Sequence, residues 1–189
     1  VEETTAALPW RTLVPLTVVS ACLGVLFGAA EVTTVAFADE QGSPAWAGGL
    51  LALWALGSLL SGVVTGTVSW RRGPAYRLKV GATAMACAMA PLFLVGSLPL
   101  MGLVLLLGGA AIAPTLIASM SLVESATPRA RLTEGMAMVQ TGLVAGVAPG
   151  AAASGFVVDS AGASAAYLVS LGAGVLAATC GEHLGLQAL

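Results

Sequence analysis

Apolar residues in this chain come in long runs broken by short polar clusters at fairly even intervals. The first run, over 13–37, is followed by Asp39, Glu40, Gln41, Gly42, Ser43 and Pro44. A second, over 45–68, ends at Ser69-Trp70-Arg71-Arg72-Gly73-Pro74, with Arg77 and Lys79 close behind. Residues 80–123 include no charged side chain. A helix rises about 1.5 Å per residue and a hydrocarbon core is about 30 Å thick, so that stretch is too long for one crossing. The turn-like cluster Gly96-Ser97-Leu98-Pro99 divides it into runs at 78–95 and 100–123. Pro114, inside the later run, predicts a bend there. Glu124 to Arg131 form the next hydrophilic loop, and runs at 132–158 and 163–184 flank the turn Asp159-Ser160-Ala161-Gly162. The pattern predicts an all-α membrane protein of six transmembrane helices, with a lead-in at 1–12 and a tail at 185–189.

Composition agrees. Only 8% of residues are charged and mean hydropathy is +0.96, whereas a soluble domain carries about 25% charged residues. A net charge of −2 argues against a nucleic-acid partner. Cys22, Cys87 and Cys180 are far apart in apolar runs, so neither a disulfide framework nor a zinc site is indicated. No HExxH, GxSxG or P-loop pattern occurs, which leaves no enzyme signature and no cofactor or metal motif. The chain begins at Val1, and its opening reads as the middle of a longer protein.

Charge also sets the expected orientation. Numbering the faces alternately along six antiparallel spans puts all seven cations on one face: Arg11, Arg71, Arg72, Arg77, Lys79, Arg129 and Arg131. Asp39, Glu40 and Asp159 fall on the other. The positive-inside rule then predicts a multi-pass protein of the cytoplasmic (inner) membrane with both termini in the cytoplasm.

Against this background the first run stands out, because Glu31 lies well inside it. An acid near the centre of a spanning helix costs roughly 2.5–3.5 kcal/mol on insertion scales, so it must be neutral, paired or facing a wet cavity. At helical spacing Thr17, Ser20, Gly24, Gly28, Glu31 and Thr34 share a stripe, expected to face the bundle interior, with Leu23, Val25, Leu26 and Val32 away from it. Glu31 reads either as a protonatable or cation-binding group on a translocation path or as a structural acid bonded to a neighbouring helix. In the second run Trp54, Ser58, Ser61 and Thr65 recur on one face, suited to a partly wet cavity or to close packing with Trp54 toward lipid. Gln140 and Thr141 are the deepest polar pair of the fifth run. Glu134 is placed to cap its helix or pair with Arg131, and Glu124 to pair with Arg129. Met85, Met89, Met101, Met120, Met136 and Met138 read as scattered core, and His183 as interfacial. The Gly24/Gly28, Gly62/Gly66, Gly142/Gly146 and Gly146/Gly150 pairs read as helix-packing faces.

Four stretches resemble a known family. Gly66-Thr67-Val68-Ser69-Trp70-Arg71-Arg72-Gly73 is similar to the loop motif G-x-L-x-D-R-x-G-R of the major facilitator superfamily, with Gly66, Val68, Arg71 and Gly73 matching and Trp70 standing in the place of the acid. The fifth run, with Gly142, Gly146, Pro149 and Gly150, resembles the eleventh helix of a twelve-helix facilitator, Pro149 being the expected bend. FGAAEVTTVAFADEQG and LLALWALGSLLSG resemble the seventh and eighth helices of drug- or sugar-efflux-type members. The resemblance implies the C-terminal half of such a permease, a half-bundle of two inverted three-helix repeats that moves a small organic molecule by alternating access. Proton-coupled efflux is the favoured form. The implied path residues are Glu31, Thr34, Trp54, Ser58, Ser61, Gln140 and Thr141, and the implied loop-latch residues Gly66, Arg71 and Gly73. The expected partners are the bilayer, the substrate, protons, and a missing N-terminal six-helix half or a second copy. The alternative is a non-transporting six-helix scaffold or assembly partner derived from a transporter half.

Overall fold

The computed structural model describes residues 7–187, with side chains placed for 7–182; His183 and the whole tail therefore lie outside the described side chains. The described chain is helical, without strands. α1 spans Trp10–Glu40, α2 Trp46–Thr67, α3 Pro74–Met89, α4 Leu98–Gly109, α5 Ile112–Ala126 and α6 Leu132–Gln187. A 3-10 segment, Ala90–Leu94, extends α3, and a 3-10 turn, Arg129–Arg131, leads into α6. Five stretches are long and apolar enough to cross a membrane: Trp10–Glu40, Trp46–Thr67, Pro74–Leu94, Leu98–Ala126 and Arg129–Glu182.

The breaks have local causes. Pro74 opens α3 behind an extended Gly73, where its missing N–H costs nothing. Pro99 does the same for α4 behind Ser97. Between α4 and α5 the chain leaves the helix at Ala110 and Ala111. Pro114 stands four residues after Ala110: its ring clashes with that carbonyl and it has no N–H to offer it. The turn tightens instead, with the Ala110 and Ala111 amides donating to Leu107 and Gly108. In α6 the helix runs through Pro149, and helical angles fail at Gly162, with φ 85° and ψ 167°. Only glycine adopts that backbone without strain.

α1 is the axis of the bundle. Toward α6 it offers Gly24 and Gly28, which meet Leu143, Gly146, Val147 and Ala151 backbone to backbone. In return Gly146 and Gly150 sit against Ala21 and Val25. The order of these contacts makes α1 and the first arm of α6 parallel. Past Gly162 the order reverses, since Thr34 meets Tyr167 and Leu26 meets Gly174. The second arm therefore runs antiparallel to α1 and returns to the end from which α1 began. There Lys79 of α3 pairs with Glu182 at 2.9 Å.

Both flanks of α1 are thus covered. Thr17 is half-buried, and Ser20, Gly24, Gly28 and Thr34 are buried as a small-residue face against α6. Leu23 and Leu26, expected to lie away from the interior, are fully buried too. Glu31 departs from its stripe and is exposed. At its level α6 covers the neighbouring face instead, where Ser154 bonds to Thr33 and donates to the Ala29 carbonyl at 3.1 Å. A second glycine contact joins α2 to α4. Gly57 lies against Leu106 and Gly109, and Gly109 against Trp54 and Ser58.

At the end remote from Lys79, Glu40 accepts a 2.7 Å hydrogen bond from the Ala163 amide. That carboxylate occupies the N-terminus of the second arm of α6, where free N–H groups and the helix dipole favour an anion. The two halves of α6 are consequently tied to the end of α1.

Candidate functional site

Glu31 opens onto a groove between α1, α2 and α5. Its walls are Phe27, Leu51, Trp54, Ala55, Ser58 and Ile112, around a volume of about 310 Å³. α1 contributes Phe27 and Glu31 because they are one helical turn apart. α2 contributes Trp54 and Ser58 for the same reason, and Ile112 arrives from the first turn of α5, just past the break that Pro114 imposes. Phe27 and Trp54 meet at 5.6 Å between ring centroids, tilted by 57°, a separation within the range that aromatic pairs favour. Trp54 is only 6% exposed, so its ring is inside the bundle and not turned toward lipid. Its indole nitrogen is buried with no hydrogen-bond partner.

The groove therefore joins one carboxylate, one hydroxyl and an aromatic pair within apolar walls. Such a surface suits a cation or a protonated amine carried on a hydrophobic body: the carboxylate supplies charge, the rings supply cation–π and apolar contact.

The other residues singled out along the chain fall elsewhere. Thr34 is buried and bonded to the Tyr167 hydroxyl at 2.9 Å, which in turn donates to the Met101 sulfur at 3.6 Å. Ser61 donates to the Ser58 carbonyl at 3.0 Å and lies in a neighbouring cleft with Thr65, Trp70 and Leu106. Gln140 and Thr141 are exposed, in a shallow depression of α6 with Ala137, Val144 and Ala145. Gly142 abuts Thr17, and Gly146 and Gly150 lie in the α1 contact already described. Pro149 is exposed. Of the expected path residues, the structure gathers Glu31, Trp54 and Ser58 in one place. Phe27, Leu51 and Ile112 join them unannounced, although Phe27 is discoverable as the residue one turn before Glu31.

The loop after α2 forms a separate cluster. Arg77 stacks on Trp70 at 4.5 Å and Arg72 on Tyr76 at 4.3 Å. The Trp70 indole donates to the Thr65 carbonyl at 3.2 Å. Arg71 lines a hollow together with Trp70, Arg72, Tyr76 and Arg77, whereas a Cβ on Gly66 or Gly73 would meet open space. On the same end, Arg131 pairs with Glu134, while Glu124 and Arg129, expected as partners, form no ion pair among the described residues. No group of metal-ligating side chains occurs among the described residues.

No family model matches this chain, and no characterised protein matches it significantly in sequence.

Proposed function

We propose that this chain is one six-crossing half of a secondary transporter of the major facilitator type, and that it carries a small organic molecule by alternating access with Glu31 as the proton-coupling group. The observation that carries the reading is the exposure of Glu31 on an open groove, well inside an apolar helix. A carboxylate there is far more stable against water or a second protein body than against acyl chains, which makes the groove face a cavity face. Phe27, Trp54 and Ser58 beside it supply a surface for an amphipathic substrate.

The packing supports the architecture. Dividing Arg129–Glu182 at Gly162 gives a sixth crossing, and the contacts on its two arms run in opposite directions along α1. In two inverted three-helix repeats, the contact of span one with span five has as its counterpart that of span four with span two. Both are glycine contacts here: Gly24 and Gly28 against Gly146, and Gly109 against Gly57. With the cation-bearing end in the cytoplasm, Lys79, Glu182 and the arginine loop share that side.

The test is Glu31→Gln in the complete permease, reconstituted in vesicles with an imposed proton gradient. Loss of gradient-driven flux with substrate binding retained is the expected result; an unchanged pH dependence removes Glu31 from coupling. A static scaffold is the second reading, favoured by Trp70 in the position of the loop acid, bonded to Thr65 and stacked by Arg77. It predicts that flux is absent from the unaltered protein as well.

A further inference from the structure

A larger hollow than the Glu31 groove lies between the loop after α2, the first turns of α3 and the α4–α5 break, with a volume of about 550 Å³. One rim is cationic and aromatic: Arg71, Arg72 and Arg77, with Trp70 and Tyr76. The floor is apolar, formed by Val80, Ala84, Ala110, Ala111 and Pro114. None of the three guanidinium groups forms an ion pair with an acid among the described residues. Arg72 and Arg77 are instead held face-on to Tyr76 and Trp70, which orients the forks without neutralising their charge. Gly81 packs against Thr115, so the wall between α3 and α5 is closed behind the hollow.

We propose that this hollow binds one anionic phospholipid, its phosphate on Arg71, Arg72 and Arg77 and an acyl chain along Val80, Ala84 and the α4–α5 break. Two features single out a lipid over a free anion. The charge is confined to one rim, at the level where Trp and Tyr commonly mark a membrane interface. The remainder of the lining offers an ion nothing, yet it suits a hydrocarbon chain. Proline shapes the site: Pro114 breaks the helix at Ala110 and Ala111, and those two alanines belong to the floor. Planar guanidinium forks match phosphate oxygens bidentately, and an anionic head group gains where a zwitterionic one, carrying its own ammonium, does not. The hollow and the Glu31 groove are lined by different residues, although both reach the start of α5, at Pro114 and at Ile112 respectively.

The experiment is native mass spectrometry of the delipidated full chain, titrated with phosphatidylglycerol and, separately, phosphatidylcholine. The expected result is retention of a single phosphatidylglycerol at least several-fold in excess of phosphatidylcholine. Arg72→Gln and Arg77→Gln should each weaken it by roughly fivefold, the worth of one basic residue near an anionic surface. Arg129→Gln, at the same end but outside the hollow, should leave it unchanged. Ala84→Phe, which fills the floor and keeps every charge, should also reduce retention, whereas inorganic phosphate at millimolar concentration should not displace the lipid. Equal retention of the two lipids overturns the proposal. So does retention unaffected by both the arginine and the Ala84 variants while circular dichroism shows the helices intact, or displacement by phosphate alone.

Discussion

Substituting Gly28 by Ala tests the packing argument most directly. A Cβ at Gly28 would stand 2.1 Å from the Val147 carbonyl oxygen, 2.9 Å from its carbon and 3.1 Å from the Ala151 nitrogen. All three are backbone atoms of α6, so no side chain can swing aside. Restoring an ordinary carbon–oxygen separation requires the helices to part by about 1 Å, and a gap of that size forfeits a quarter to a half of each dispersion contact along the seam. Overpacking of this kind costs about 1–3 kcal/mol. In a bilayer nothing offsets the loss, because lipid tails cover the parted surfaces as well as the helices covered each other. Gly155 supplies the comparison: it lies in the same helix α6, yet a Cβ there meets nothing within 4 Å. Ala at that position gains helix propensity of up to about 1 kcal/mol. Unfolding of each variant in detergent micelles by titration with a denaturing surfactant, followed by helical circular dichroism, should place Gly28→Ala below the parent and Gly155→Ala at or above it. The separation should be about 2 kcal/mol or more. Equal midpoints for the two variants would refute the claim that backbone proximity holds α1 on α6.

Two further outcomes follow from the same bundle. Tyr167→Phe removes the hydroxyl that joins Thr34 and Met101 across three spans, and should cost about 0.6 kcal/mol, the average for a hydrogen bond between membrane helices, measured by the same titration. Glu40→Ala leaves the Ala163 amide without its acceptor and should cost about 1 kcal/mol, as loss of a helix cap does. Glu40→Gln should recover part of that, and amide exchange at Ala163 should accelerate in the alanine variant alone.

Much of the fold is written in local chemistry. Apolar runs of spanning length, Pro74 and Pro99 at helix starts, the Pro114 break and the glycine pairs each act over a single turn or a single contact. They can therefore be read without knowing what lies opposite. Glu31 was legible as an anomaly for the same reason, since the cost of an acid in an apolar run needs no partner to be defined. What lay opposite could not be read. The stripe from Thr17 to Thr34 is one pattern on a helical wheel, yet α6 covers most of it and leaves Glu31 open. Trp54 fitted two environments equally well until Phe27 was brought against it. Glu40 and Ala163 are separated by most of the chain, as are Thr34 and Tyr167, and neither pair has a spacing that announces it. Gln140 is polar and deep in its run, but depth along a helix says nothing of which way the helix is turned.

The amino-acid order by itself established that this is a helical chain suited to a bilayer, with cations clustered at the same ends of its runs, because hydropathy and backbone propensity are properties of short segments. Tertiary structure alone decided which side of each helix is covered, and that one carboxylate and a rim of three arginines are left open in two different hollows. Rotation and register depend on the sum of many weak contacts between distant residues, and such a sum exists only once the helices have been brought together.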